Sequence, residues 1–347
     1  MNSADDFVKP KRRVRYKGKN PTKFHEKYKE LNPTQYLDDI EKVKQRGATP
    51  VGTHRPICVD EILNILAPKP GETALDATLG YGGHTSLILP KLMPGGRLIA
   101  LDQDPIERPK TEARLRQIGF SDSSLIIGAI NFSQARKFLT ANKFDKVDLI
   151  LADLGLSSMQ IDHPGRGFSY KTNAPLDLRM NPEKGISAAE LLASLSLIQL
   201  TEILHENSDE LRAEVIAKAL LAKKPKTSAQ LVEVMHEVMS GFSKKVQSEE
   251  GDAPIRRAFQ ALRIAVNDEF NVLNQFLKDI PEILNPGGRV AILSFHSGED
   301  RRVKKSFQAL ARAQVYRQIS PEFIRPSPEE QRSNPRSKSA KLRWAIL

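Results

Sequence analysis

The sequence predicts an α/β protein, a mostly parallel sheet wound with helices and broken by an all-helical insertion. Three observations carry that expectation. Apolar runs of strand length alternate with helical periodicity between Val59 and Asp153, the pattern of linked βαβ units. One run leads directly into a glycine-rich turn that opens a helix, Asp76-Ala77-Thr78-Leu79-Gly80-Tyr81-Gly82-Gly83-His84. From about Gly165 to Pro254 no segment reads as a strand, and apolar residues recur at helical spacing.

Taken in order, Val59–Leu66 reads as a helix ending before Pro68, and Glu72–Asp76 as a buried strand. A helix over Thr85–Lys91 follows the glycine turn. Pro94-Gly95-Gly96 turns the chain into a second strand, Arg97–Leu101, ending at Asp102-Gln103-Asp104-Pro105. After another helix come a third strand, Ser124–Ile127, and a fourth, Asp148–Ala152, ending at Asp153. In the insertion, Ala188–Leu204 reads as one helix, and Asp209–Lys223 as a helix with Leu211, Val215, Ala219 and Leu220 on its apolar face. Ser228 can cap a helix carrying Leu231, Val234, Met235 and Val238. Ser240–Asp252, rich in Gly, Ser and charge, reads as an exposed loop. One long helix is expected to follow, with the stripe Phe259, Leu262, Val266, Phe270, Leu273, Leu277 and Ile280. Pro286-Gly287-Gly288 repeats the earlier turn before a strand over Arg289–Phe295, and Lys341–Leu347 reads as the last strand.

The domain organisation expected from this is a basic extension over 1–50, a core over 51–164 and 255–347, and a helical insertion over 165–254 that recognises substrate. The extension crowds Lys9, Lys11, Arg12, Arg13, Arg15, Lys17, Lys19 and Lys23 into a stretch with few apolar residues, so it reads as an arm. The whole chain carries a formal net charge of +11, which favours a polyanionic partner, nucleic acid before membrane surface. No apolar run is long enough to span a bilayer, and the basic N-terminus lacks the apolar core of a secretory signal. The single cysteine, Cys58, excludes an internal disulfide, so a cytoplasmic location is expected.

Four segments carry the chemistry. The glycine turn spaces Gly80, Gly82 and Gly83 differently from the dinucleotide fingerprint and has no phosphate-loop lysine. It suits a ligand with a carboxylate and an amine, such as the methionine part of S-adenosylmethionine. Asp102, about twenty residues on at the end of the second strand, can hold both hydroxyls of a ribose, whereas Asp104 reads as a helix cap. Asp153 ends the fourth strand, where ligands of open α/β sheets bind, and the Asp/Asn-Pro-Pro-aromatic sequence of common DNA amino methylases is absent there. Ser294-Phe295-His296-Ser297 ends a later strand at the same edge, and Arg301, Arg302, Lys304 and Lys305 follow as a path for a phosphate backbone. Asp153, or a backbone carbonyl nearby, is expected to accept a hydrogen bond from the reacting amine, with His296 as a second candidate for proton handling. His205 and His236 read as surface or packing residues, and no His/Cys cluster has metal-site spacing.

Together these segments resemble the bacterial 16S ribosomal RNA cytosine-N4 methyltransferases, the small-subunit methyltransferase H family. The resemblance rests on His54-Arg55-Pro56, Asp76–His84, Asp153–Gln160, Gly165-Arg166-Gly167-Phe168-Ser169, Pro175-Leu176-Asp177-Leu178-Arg179-Met180, Phe259–Asn267 and Ser294–Ser297. It implies a class I S-adenosylmethionine methyltransferase sheet, Rossmann-like, that methylates the exocyclic amine of one cytidine at the decoding centre of 16S rRNA within the small ribosomal subunit. By motif position it implies that Gly82, Gly83 and His84 hold the methionine end, Asp102 the ribose and Phe132 the adenine, while Asp153 and Gln160 complete the pocket. No metal and no membrane partner are expected, and a homodimer is possible. Tyr81, Met159 and Gly298 depart from the residues usual in that family, which are Arg, Pro and Leu.

Rival readings differ in what they require. A methyltransferase acting on another RNA, a protein or a small molecule would share the pocket. A nicotinamide dehydrogenase would share the βαβ plan, against the glycine spacing. A non-enzymatic RNA-binding protein would need the charge but neither Asp102 nor the glycine turn.

Overall fold

In the computed structural model, residues 56–347 are described; the basic extension over 1–50, with His54 and Arg55, lies outside the described residues. Seven strands form one sheet in the order β3-β2-β1-β4-β5-β7-β6. They are β1 (Thr73–Asp76), β2 (Arg97–Leu101), β3 (Leu125–Gly128), β4 (Val147–Asp153), β5 (Leu284–Ser294), β6 (Gln318–Ile319) and β7 (Lys341–Ile346). Strands β1 to β5 are parallel, whereas β7 runs antiparallel to β5, and β6 antiparallel to β7. Two-residue β6 is too short to leave a period in the sequence.

Both faces of the sheet are covered, which is why its parallel strands read as continuous apolar runs. Leu75, Ile99, Ile150 and Ile292 point to one face, and Ala74, Leu98, Leu149 and Ala291 to the other. The first face packs against α4 (Ala135–Ala141), α12 (Glu269–Ile283) and α13 (Ser297–Arg312). The second packs against α1 (Val59–Leu66), α2 (Gly83–Leu92) and α3 (Glu107–Gln117). Among the described residues, no helix is long and apolar enough to cross a membrane.

After β4 and the short α5 (Ser158–Asp162) come α6 (Ala188–Ser194), α7 (Leu197–Ser208), α8 (Ala213–Lys223), α9 (Ser228–Ser240), α10 (Lys244–Glu250) and α11 (Ala253–Asn267). Leu200, Leu204, Ile216, Leu220, Leu231 and Met235 share one core with Ile255, Phe259 and Leu262 of α11.

Local chemistry changes several sequence expectations here. The helix expected over Ala188–Leu204 is two, because Ser196 and Gln199 form a capping box that restarts it. The apolar face assigned to α8 is turned. Leu211 is 85% exposed and Val215 50%, while Ala213, Ile216, Ala217 and Leu220 are buried. The buried carboxylate of Glu210, held by Arg257 Nε at 2.6 Å, fixes that rotation just before α8. Thr227, not Ser228, caps α9. The Ser228 hydroxyl is buried and donates to the Thr172 carbonyl at 2.6 Å. The loop expected over Ser240–Asp252 contains α10, capped by Ser243. The long helix expected through Phe259 and Ile280 breaks at Asp268, which adopts left-handed geometry with φ 50°.

A buried polar knot ties the helical part to the sheet. Asp104 is fully buried, and its Oδ1 accepts from the Ile106 and Glu107 amides, capping the start of α3 as its sequence position suggests. Its Oδ2 accepts from Gln160 Nε2 at 2.7 Å and Arg166 Nη1 at 2.9 Å. Arg166 also donates from Nη2 to the carbonyls of Arg179 and Met180. Breaking a buried ion pair by removing one member strands the other charge. Arg166→Met is therefore expected to lower the unfolding free energy by about 3–5 kcal/mol in chemical denaturation. A loss no larger than that of a surface substitution would show that Asp104 does not depend on this partner.

Candidate active site

A cavity of about 970 Å³ opens at the carboxyl ends of β1, β2, β4 and β5. Neighbouring strands β1 and β4 send their crossovers to opposite sides of the sheet, so a crevice is expected at that point. Side chains fix its walls. The Thr78 hydroxyl accepts from the Asp153 amide at 2.6 Å, joining the ends of β1 and β4. Asp102 Oδ2 accepts from the Gly80 amide at 2.9 Å, and Oδ1 from the Asp104 amide at 2.8 Å. The glycine turn and the end of β2 are thus held by one carboxylate.

Of the residues singled out in the sequence, Gly83, His84, Asp102, Phe132, Asp153 and Gln160 line this cavity. Gly82 and His296 are not on its wall. Gly82 takes φ 73° as the N-cap of α2, and a Cβ there would meet Thr111 and Leu115 at 3.0 and 3.1 Å. Its glycine serves packing under α3 and the turn itself. The His296 ring packs on Phe270, with Nε2 3.2 Å from Glu299 Oε1, and it is Glu299 that reaches the cavity. Gln160 has its amide committed to Asp104 and to the Ser157 backbone, so it shapes the wall from within. Phe132 is set edge-on to Phe276, with ring centroids 5.2 Å apart.

Two features fit a ligand with a ribose at one end and an amino-acid group at the other. Each oxygen of Asp102 accepts one backbone N–H and keeps lone-pair capacity for a hydroxyl. At the other end, α2 begins without a side-chain cap, leaving first-turn N–H groups available to a carboxylate. His84 stands there with Nε2 buried, without a hydrogen-bond partner and 3.6 Å from Asp153 Oδ2.

Burial pushes the Asp102 carboxyl up to about 6, against the two amides that favour its charged form. Burial likewise raises Asp76, whose Oδ2 accepts the Thr85 hydroxyl proton at 2.7 Å. Glu299 goes the other way. Burial would raise it, but His296, Arg263 and the Phe295 amide together hold it below the usual carboxylate range.

The cavity also has walls that carry no site assignment from the sequence. Arg256 enters from the first turn of α11, Arg263, Asn267 and Glu269 from its end and the start of α12, and Asn334, Arg336, Lys338 and Ser339 from the turn before β7. The signal for the first group was present: Arg263 and Asn267 stand four apart on a helix whose neighbours are apolar. The second lies in an irregular basic stretch with no period to read. Glu269, His296 and Glu299 bring ligand-type atoms within 4.8 Å of one another, and the Arg263 guanidinium supplies positive charge beside them. The basic helix start expected to carry phosphate is partly committed elsewhere. Arg301 Nη2 donates to both carboxylate oxygens of Asp209 at 2.8 and 3.0 Å, and Arg302 lies 3.4 Å over the Phe270 ring. Two of the departures noted above also have a structural setting. Tyr81 stacks under Arg114 at 3.9 Å, and a Cβ at Gly298 would meet Phe270 at 2.6 Å.

Residues 52–346 match the model of the MraW methylase family. The chain is 50% identical over 343 residues to ribosomal RNA small subunit methyltransferase H 2 of Alkaliphilus metalliredigens, covering 97% of this chain and 98% of the relative. It is 51% identical over 341 residues to ribosomal RNA small subunit methyltransferase H 1 of Lachnoclostridium phytofermentans, covering 97% and 93%. Identity to ribosomal RNA small subunit methyltransferase H of Burkholderia vietnamiensis is 38% over 316 residues, covering 84% and 96%.

The charge state of Asp102 is open to direct measurement. Carboxyl-carbon NMR is expected to show it titrating near 6, well above an ordinary aspartate. A midpoint at the ordinary value would mean that water reaches this carboxylate freely.

Proposed function

The chain belongs to the MraW methylase family and is an S-adenosylmethionine-dependent rRNA methyltransferase, and we propose that its acceptor is the N4 amine of one cytidine at the decoding centre of 16S rRNA. The observation that carries this reading is a single cavity joining Asp102 at the β2 end to Asp153 at the β4 end and Glu299 beyond β5. A cofactor and an acceptor base can then share one space. The reaction belongs to the cytoplasm, on the small ribosomal subunit.

The bound cofactor supplies a sulfonium methyl group, already a good electrophile. In this proposal Asp102 binds the ribose hydroxyls, the start of α2 with Gly83 and His84 binds the methionine end, and Phe132 flanks the adenine. The chain's own residues then have two tasks. The first is alignment, which can lower a barrier by roughly 7–11 kcal/mol when reacting groups are held in line. Thr78 fixes the backbone of Asp153, and the Asp104–Arg166 knot fixes Met180 on the opposite wall. The second task concerns the amine, whose lone pair is shared with the cytosine ring. Asp153 accepts a hydrogen bond from N4–H, which localises that lone pair, and takes up the proton that N4 loses when it gains the methyl group, the C–S bond breaking to leave S-adenosylhomocysteine. His84 Nε2, 3.6 Å away, is placed to steady the carboxylate.

The target base must leave its stack to enter the cavity. The helical insertion over 165–254, together with α11, is assigned to gripping rRNA around it, and the basic extension over 1–50 adds phosphate contacts. Arg256, Arg336 and Lys338 on the cavity rim extend that electropositive surface.

Incubating the protein with methyl-labelled S-adenosylmethionine and under-methylated 30S particles is expected to label one cytidine of 16S rRNA at N4. Label on another RNA, or on no RNA, would overturn the acceptor assignment. Asp153→Asn is expected to bind the cofactor normally and to lower turnover on the order of 10²-fold. Full turnover in that variant would remove Asp153 from the chemistry.

A further inference from the structure

We propose that Arg263 reads the acceptor base, its free guanidinium edge donating to O2 and N3 of cytosine and so selecting cytosine over uracil. The inference rests on the cytidine acceptor proposed above. It starts from where Arg263 stands. It lines the cavity from the end of α11, on the side where β5 and Glu299 close the wall, whereas the sugar-binding carboxylate Asp102 lies across the sheet at β2. That side is left for the acceptor.

The guanidinium is rigidly held. Arg263 Nε and Nη2 donate to Glu269 Oε1 and Oε2 at 2.7 and 2.8 Å, a fork that fixes the plane of the group. The backbone is held as well. Asn267 Nδ2 donates to the carbonyls of Arg263 and Leu178, and Asn267 Oδ1 accepts the Met180 amide at 2.6 Å. The left-handed break at Asp268 allows this geometry, since a continuous helix would carry Glu269 onward with α11.

The fork uses two of the five N–H groups of arginine. The other three, two on Nη1 and one on Nη2, have no hydrogen-bond partner among the described residues. Arg263 lines the cavity and keeps part of its side chain exposed, which leaves this second edge for a ligand there. A planar pair of donors matches two adjacent acceptors, as arginine matches O6 and N7 of guanine. Cytosine presents such a pair in O2 and N3. Uracil presents a donor at N3, which would face the guanidinium with like polarity. Glu269 and Glu299 neutralise the charge that Arg263 would otherwise bring unpaired into the wall.

The test is equilibrium binding of the full chain, loaded with S-adenosylhomocysteine, to unmethylated 30S particles carrying cytidine or uridine at the target position. Wild type is expected to prefer the cytidine particle on the order of tenfold. Arg263→Lys keeps the charge but loses the fork. Its preference is expected to fall close to one, through weaker binding of the cytidine particle, with S-adenosylhomocysteine affinity unchanged. Glu269→Gln, which loosens the fork and leaves the guanidinium, is expected to give an intermediate ratio, and it decides the matter if Arg263→Lys does not fold. No preference in wild type, or a wild-type ratio in the folded variants, would overturn the assignment to Arg263. Failure of wild type to bind either particle would instead count against the 16S acceptor.

Discussion

The reversal of strand order at β1 is the constraint from which the site follows. With β2 on one side of β1 and β4 on the other, the connections leaving these strands part, and the backbone cannot close the gap above them. Buried side chains hold the gap to one shape. Asp102 binds the glycine turn to the end of β2, and Thr78 binds the end of β1 to the end of β4. Each bond stabilises the fold a little, and each also fixes a group that faces the cavity. The carboxylate of Asp102 therefore both ties the backbone together and lines the cavity.

Charge inside a low-dielectric wall is expensive unless it is paired or changes protonation. Both solutions occur around this cavity. Asp102 stays unpaired by a cation and is pushed toward its neutral form until something accepts the role of partner. Glu299 and Glu269 are paired instead, with His296 and Arg263, and this pairing holds Glu299 below the usual carboxylate range in spite of its burial. The two ends of the cavity thus differ: one carboxylate awaits donors at β2, and a neutralised cluster with a donor edge to spare stands beyond β5. That asymmetry suits a site in which the cofactor and the base enter from different sides.

Much of this was legible in the sequence where a repeating pattern or a strand end marks the residue. The limits of α1 and β2, the glycine turn, and the strand-end carboxylates Asp102 and Asp153 all came from local pattern, because a parallel strand buried on both faces writes a continuous apolar run. The errors have another source. The orientation of α8 was set by the contact of Glu210 with Arg257, forty-seven residues away, which no local period records. The break at Asp268 interrupts a stripe that stays apolar through both helices, so periodicity alone joins them. His296 sat in a motif at the right edge of the sheet, but its rotamer turns toward Phe270 and leaves Glu299 on the wall. The single 3-10 turn over Pro335–Ser339 reaches the cavity through tertiary packing, and it is too short to leave a period in the sequence.

The central claim is that one cavity holds cofactor and acceptor on opposite sides of Asp153. A crystal structure of the protein with S-adenosylhomocysteine and cytidine tests it most directly. The ribose hydroxyls are expected on Asp102, the sulfur facing Asp153, and the cytosine ring on the β5 side beside Arg263. A cofactor lying away from Asp102, or a cytidine bound outside this cavity, would contradict it.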